Sequence, residues 1–299
     1  MQVGFVGLGK MGGNMVERLL GDSHRVVVYN RTAGKIQDAV KKGASGSGSL
    51  QEMVSKLQSP KVVWLMVPSG EPVDQNIADL IPLLGEGDIV VDGGNSYYKD
   101  TLRRHAALMV KGTNFLDCGT SGGIWGLKVG YCLMIGGEEE AFAAVEPIFK
   151  TLAPPDGYLH CGQSGAGHLV KMIHNGIEYG MMQALAEGFN ILEASPYNLD
   201  LQKISHLWNQ GSVVRSWLLE LAELAFQKDP KLEKLEPFVS DSGEGRWTVL
   251  ESIERDVPAP VITLSLQARL ASRDKNSFAH RMLAALRNEF GGHAVKAKD

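Results

Sequence analysis

Short apolar runs recur through the first half of the chain, at residues 2–6, 25–29, 61–67, 88–92, 113–118 and 131–135. Between them apolar residues return every three or four positions, at 10–20, 72–84, 97–111 and 138–152. The first pattern predicts buried strands and the second amphipathic helices. Their alternation predicts a parallel, doubly wound Rossmann-type sheet. From about residue 162 the strand-sized runs stop. Helical patterns follow at 199–209, 213–226, 245–255, 261–271 and 278–289, punctuated by Pro230, Pro237, Pro258 and Pro260. The chain is therefore expected to be α/β in residues 1–162 and all-helical in 163–299.

The helical half opens on one long element. After a glycine-rich entry at 162–167, residues up to Glu193 predict a helix of roughly 25–30 residues, about 40 Å long. Leu169, Val170, Met172, Ile173, Ile177, Met181, Met182, Leu185, Phe189, Ile191 and Leu192 surround it almost completely, which predicts burial. Yet Lys171, His174, Asn175 and Glu178 share an arc of about 100° across two turns. One explanation is a solvated polar stripe with a Lys–Glu relation on it. The other is chemistry, because a buried amine serves as a base and a carboxyl in an apolar site as an acid.

The N-terminal strand leads into Gly7-Leu8-Gly9-Lys10-Met11-Gly12, followed by a helix and a second strand. This context makes G-x-G-x-x-G a dinucleotide signature. Gly7 suits the tight turn, Gly9 the approach of a pyrophosphate and Gly12 the packing of helix on strand, with the diphosphate on the helix N-terminus. At the end of the second strand, Asn30-Arg31-Thr32 stands where an acidic residue would repel a 2′-phosphate. A neutral amide, a cation and a hydroxyl favour NADP, with NAD possible.

Ligands of doubly wound sheets bind at the carboxyl ends of strands. Three loops fall at or after such ends: Val67-Pro68-Ser69-Gly70, Gly93-Gly94-Asn95-Ser96 and Gly119-Thr120-Ser121-Gly122-Gly123. The third offers a hydroxyl and successive flexible N–H groups suited to a carboxylate.

Composition narrows the function classes. The chain has 299 residues, 44% of them apolar and 21% charged, with a formal charge of −4. That size allows two domains, and the charge argues against a general nucleic-acid binder. Cys118, Cys132 and Cys161 are widely spaced and form neither a disulfide framework nor a zinc motif, and no clustered His, Asp and Glu set calls for a metal. No secretory signal or membrane-length apolar run is seen, so a cytoplasmic protein without membrane partners is expected.

Taken together, the chain resembles the short, single-repeat 6-phosphogluconate dehydrogenases of the β-hydroxyacid dehydrogenase superfamily. The resemblance spans nearly the whole length. It rests on G-L-G-x-M-G, N-R-T at 30–32, D-G-G-N-S at 92–96, G-T-S-G-G at 119–123, G-x-G-H-x-V-K-M-x-H-N-G-I-E-Y at 165–179 and F-G-G-H at 290–293. It implies oxidation of 6-phosphogluconate at C3, loss of CO2 and release of ribulose 5-phosphate. Lys171 matches the general base and Glu178 the general acid. Leu8, Met11, Val67 and Asn95 fall with the glycines and Asn30–Thr32 among cofactor contacts. Asn95, Ser121, Gly122, Gly123, His174 and Asn175 match substrate ligands, and Tyr179, Arg246 and Arg269 match the phosphate grip.

At Arg246 relatives more usually carry lysine; an arginine can hold a phosphate in two-pronged fashion. Arg287 and His293 match residues donated to a neighbouring subunit's site, and long relatives carry a second helical repeat. A homodimer or homotetramer with shared active sites is therefore expected. Short relatives often prefer NAD, against which Arg31 argues for NADP. Two rivals are a non-decarboxylating hydroxyacid dehydrogenase, which would not require Glu178, and a dinucleotide-sensing protein without turnover.

Overall fold

The computed structural model describes residues 1–291 and 294–296. Two compact units divide at Asn175/Gly176, inside the long helix rather than before it.

The first unit is built on an eight-stranded sheet: β1 (Gln2–Val6), β2 (Arg25–Tyr29), β3 (Ser45–Gly46), β4 (Val62–Leu65), β5 (Ile89–Asp92), β6 (Asn114–Ser121), β7 (Cys132–Gly136) and β8 (Tyr158–Gly162). Their order is β3-β2-β1-β4-β5-β6-β7-β8. Around it lie α1 (Lys10–Gly21), α2 (Ala33–Lys41), α3 (Leu50–Ser55), α4 (Glu71–Leu80), α5 (Tyr98–Met109), α6 (Gly126–Val129) and α7 (Glu139–Leu152). Alternate residues of β4 enter two separate cores. Val62 and Trp64 pack with Phe5, Leu19 and Phe149, while Val63 and Leu65 pack with Val73, Leu80 and Phe115. Burial on both faces explains why these strands are continuous apolar runs. The order of successive strands reverses between the parallel β1 and β4, which places the crevice at their carboxyl ends.

The sheet departs from the expected all-parallel pattern at one place. β7 runs antiparallel to β6, pairing Asp117 with Gly136 and Ser121 with Cys132. The connection holds only a short 3-10 turn (Gly123–Trp125) and α6, less than the dozen or so residues of a parallel crossover.

Helix α8 (Ala166–Glu193) begins in the first unit and continues into the second. The second unit adds α9 (Leu201–Asn209), α10 (Trp217–Lys228), α11 (Glu244–Glu254), α12 (Pro260–Ala271) and α13 (Phe278–Gly291). The helix expected from residue 213 starts at Trp217, because Ser216 caps it by accepting the Leu219 N–H at 3.2 Å. One core joins Phe189, Leu201, Leu219 and Phe226; another joins Tyr179, Val249 and Leu266. The expected burial of the long helix is not met within the single chain. Ile177 and Ile191 are 52% and 71% exposed, and Met181 and Met182 are also exposed. Among the described residues no helix is long and apolar enough to cross a membrane.

Candidate active site

The glycine loop joins the carboxyl end of β1 to α1. Gly7 has φ of 97°, and a Cβ there would fall 2.3 Å from the Met66 carbonyl oxygen, so only glycine makes this turn. A Cβ on Gly12 would fall 2.1 Å from the Gly7 oxygen, which sets helix against strand. A Cβ on Gly9 would meet nothing within 4 Å. Gly9 is the N-cap of α1, no side chain caps the helix, and its first turn holds no acidic residue. Free N–H groups facing open space without a nearby carboxylate suit a diphosphate, so the loop fits a dinucleotide. Leu8 and Met11 pack into the core behind this loop, and Val67 into the core on the other face.

Asn30 braces the loop from the end of β2. Its Oδ1 accepts the Leu8 N–H at 2.9 Å and its Nδ2 donates to the Thr32 carbonyl at 3.2 Å. Arg31 and Thr32 are exposed, and Arg31 makes no hydrogen bond or ion pair among the described residues. Lys35, which the sequence patterns did not single out, lines a hollow of about 130 Å³ with Leu8 and Gly13. Its signal was its place in the first turn of α2, directly after Asn30-Arg31-Thr32.

At the end of β5, the buried Asp92 accepts from the Gly94 N–H at 3.2 Å and the Ser96 hydroxyl at 2.7 Å. Asp92 lies 3.6 Å from Arg104, itself buried, whose Nε donates to Asp74 at 2.8 Å and whose Nη2 donates to the Gly70 carbonyl at 3.1 Å. The Arg104 hydrogen bond is the largest of the effects that hold the Asp74 carboxyl below its ordinary pKa. Two strand-end loops are thus tied to one buried guanidinium. The Thr120 N–H donates to Asn95 Oδ1 at 3.3 Å. A backbone N–H can only donate, so the Asn95 amide must turn its oxygen there and keep its NH2 for another partner. Gly122 and Gly123 both have positive φ, 133° and 53°, and bend the chain sharply beyond Ser121.

Lys171 sits against the end of β6. A Cβ on Gly119 would fall 2.3 Å from the Lys171 Cβ and 3.0 Å from the Gly167 oxygen, so α8 lies directly on the strand. Lys171 is 4% exposed; its Nζ donates to Asn175 Oδ1 at 2.6 Å and stands 3.4 Å from His174 Nδ1. The start of α8 is held by Asp117, fully buried on β6, whose carboxylate accepts the N–H groups of Gly165 at 2.7 Å and His168 at 2.8 Å.

In the second unit, Glu178 is half-buried on α8 and Tyr179 is buried. The Arg269 guanidinium stacks 3.5 Å from the Tyr179 ring centre and donates to the Ser240 carbonyl at 3.0 Å. Arg246 holds Asp241 Oδ2 through Nε at 3.1 Å and Nη2 at 2.7 Å. The Tyr179 hydroxyl lies 3.3 Å from both Asp241 and Ser242. Burial works to raise the Asp241 pKa, but the Gly243 N–H and the Arg246 guanidinium outweigh it and the net direction is downward. Tyr179, Arg246 and Arg269 thus come together around 240–243. Arg287 is exposed on α13, away from any described partner, and His293 lies outside the described residues. Among the described residues no set of three His, Cys, Asp or Glu could hold a metal ion.

Fold and loops together define a dinucleotide-binding dehydrogenase. Residues 2–164 match the NAD binding domain of 6-phosphogluconate dehydrogenase, and residues 167–298 match the 6-phosphogluconate dehydrogenase C-terminal domain. The chain belongs to the 6-phosphogluconate dehydrogenase family. It is 44% identical to the NAD(+)-dependent, decarboxylating 6-phosphogluconate dehydrogenase of Haloferax volcanii, with all of both chains covered. It is 37% identical to the decarboxylating 6-phosphogluconate dehydrogenase of Lactococcus lactis subsp. lactis, where 97% of this chain covers 65% of the relative. The Plasmodium falciparum 6-phosphogluconate dehydrogenase, solved in its apo form, with its cofactor NADP+ and with its substrate 6-phosphogluconate, superposes with a TM-score of 0.84. That match is 29% identical and covers all of this chain and 66% of the other. This chain thus spans about two thirds of the longer relatives.

Proposed function

We propose that the protein oxidises 6-phosphogluconate at C3 and releases CO2 and ribulose 5-phosphate. The observation that carries this is Lys171: an amine buried over the end of β6 and hydrogen-bonded to neutral Asn175. Burial works against the charged amine, and the neutral amine is the form a general base needs. The bound dinucleotide supplies the hydride acceptor. Lys171 takes the C3 hydroxyl proton as the hydride leaves C3, which gives a 3-keto acid. The C1–C2 bond then breaks, CO2 leaves, and its electron pair flows into the ketone, whose oxygen the Lys171 ammonium protonates. Glu178 delivers a proton to the former C2 of the enediol, which becomes C1 of ribulose 5-phosphate. Asn95 donates its free NH2 to the sugar acid or the cofactor. Ser121, Gly122 and Gly123 bind the C1 carboxylate, and Tyr179, Arg246 and Arg269 bind the phosphate.

For the cofactor, Arg31 and Lys35 favour NADP, since a 2′-phosphate needs nearby cations. Asn30 supports this less directly, because its amide is engaged with Leu8 and Thr32. The helical unit serves as a homodimer surface in this scheme. Ile253, Leu264, Phe278 and Leu283 are each more than half exposed, apolar surface that a second copy of the chain would cover. Arg287 and His293 would then complete the partner's site. The direct test is the absorbance of reduced nicotinamide with 6-phosphogluconate and each dinucleotide. Turnover with NADP well above NAD is expected; no turnover with either defeats the proposal.

A further inference from the structure

We infer that His168 is a positioning residue that fixes the distance between Lys171 and the Asn95 loop; this rests on Lys171 being the base. The residue is 1% exposed, so both ring nitrogens must find partners inside the protein. Its Nε2 lies 3.1 Å from the Gly94 carbonyl oxygen and its Nδ1 lies 2.7 Å from the Thr101 hydroxyl. A carbonyl can only accept, so Nε2 carries the proton, and in the neutral ring Nδ1 accepts from Thr101.

Those two bonds connect three elements of the first unit. His168 stands one turn before Lys171 on α8, Gly94 directly precedes Asn95 after β5, and Thr101 lies on α5. The helix end of this link is immobile. Asp117 holds the His168 N–H, and a Cβ on Gly167 would fall 2.4 Å from the Met134 oxygen, leaving no room to slide. The loop end is held as well, because Asp92 accepts the Gly94 N–H while Thr120 holds the Asn95 side chain. The imidazole is therefore a rigid spacer between a base on a helix and a donor on a loop. General acid–base chemistry is sensitive to such spacing, and a misplacement of about 1 Å costs on the order of a hundredfold in rate.

The two ring nitrogens can be removed separately. His168→Gln keeps a donor at the reach of Nε2 for Gly94, whereas His168→Asn keeps an acceptor at the reach of Nδ1 for Thr101 and loses the loop contact. The kinetic constants of both variants, with those of Thr101→Val, are compared with the wild type alongside thermal melting. His168→Asn is expected to lose kcat by roughly a hundredfold, with the KM for the dinucleotide unchanged. His168→Gln is expected to recover most of that loss although both variants melt at similar temperatures. Equal kcat in the two variants, or losses that merely follow the folded fraction, overturns the inference. If neither histidine variant folds, Thr101→Val decides: a fall in kcat with the dinucleotide KM unchanged supports it, and wild-type kcat overturns it. Wild-type turnover is measured first, so failure of the function itself is seen separately.

Discussion

Lys171 Nζ lies 2.6 Å from Asn175 Oδ1, one turn further along the same helix. The contact aims the amine along α8, and the close seat of its Cβ over Gly119 keeps it there. Lys171→Met keeps the length and removes the nitrogen. It is expected to lower kcat by about 10²–10⁴-fold, with dinucleotide binding, followed by fluorescence, intact. A loss confined to KM would assign Lys171 to binding rather than proton transfer.

Arg31 governs the dinucleotide in this scheme. Arg31→Asp places a like charge beside a 2′-phosphate and is expected to weaken NADP far more than NAD. Equal weakening of both cofactors contradicts the assignment.

Arg104 is the buried cation between Asp74 and Asp92. Removing it leaves a fully buried Asp92 beside no guanidinium, so Arg104→Leu is expected to cost about 3–5 kcal/mol in urea unfolding. The sign with pH follows from Asp74. Its folded pKa is depressed below the ordinary 3.8, so its contribution is present above that value and fades as pH falls through the folded pKa. The gap between wild type and variant should therefore narrow below about pH 4. A gap that stays constant into stronger acid contradicts this origin.

Shared sites predict complementation. Lys171→Met and Arg287→Ala chains, refolded together, should form mixed dimers in half the molecules, each with one intact site. About a quarter of wild-type activity should return. No recovery despite proven mixed dimers would place the α13 tail in its own subunit's site.

The strands β1, β2, β4 and β5 were legible because each is a continuous apolar run buried on both faces. β3 was not, since Ser45 and Gly46 carry no apolar signal, and β8 was missed because Tyr158–Gly162 mixes types at a sheet edge. The direction of β7 is decided by its pairing, which periodicity does not register. Lys171, His174 and Asn175 could be grouped because they share one helix. Asp117, Arg104 and His168 could not, because their partners lie on other elements, from Asp92, 12 positions before Arg104, to Gly94, 74 before His168. Asn30 illustrates the same limit: its position suggested a cofactor contact, while its bond to Leu8, 22 positions back, is visible only in the fold.

In the proposed mechanism one helix carries the base for oxidation and the acid that completes decarboxylation. This is tested most directly by a single turnover of 6-phosphogluconate in wild type and Glu178→Gln, following reduced dinucleotide and CO2 together. Wild type should release one CO2 for each dinucleotide reduced, since both come from one substrate molecule. In Glu178→Gln the reduction should keep its rate while the later steps slow, and a trapped 3-keto acid should account for the missing CO2. Reduction that slows as much as CO2 release, or wild-type reduction with no CO2, would contradict the account.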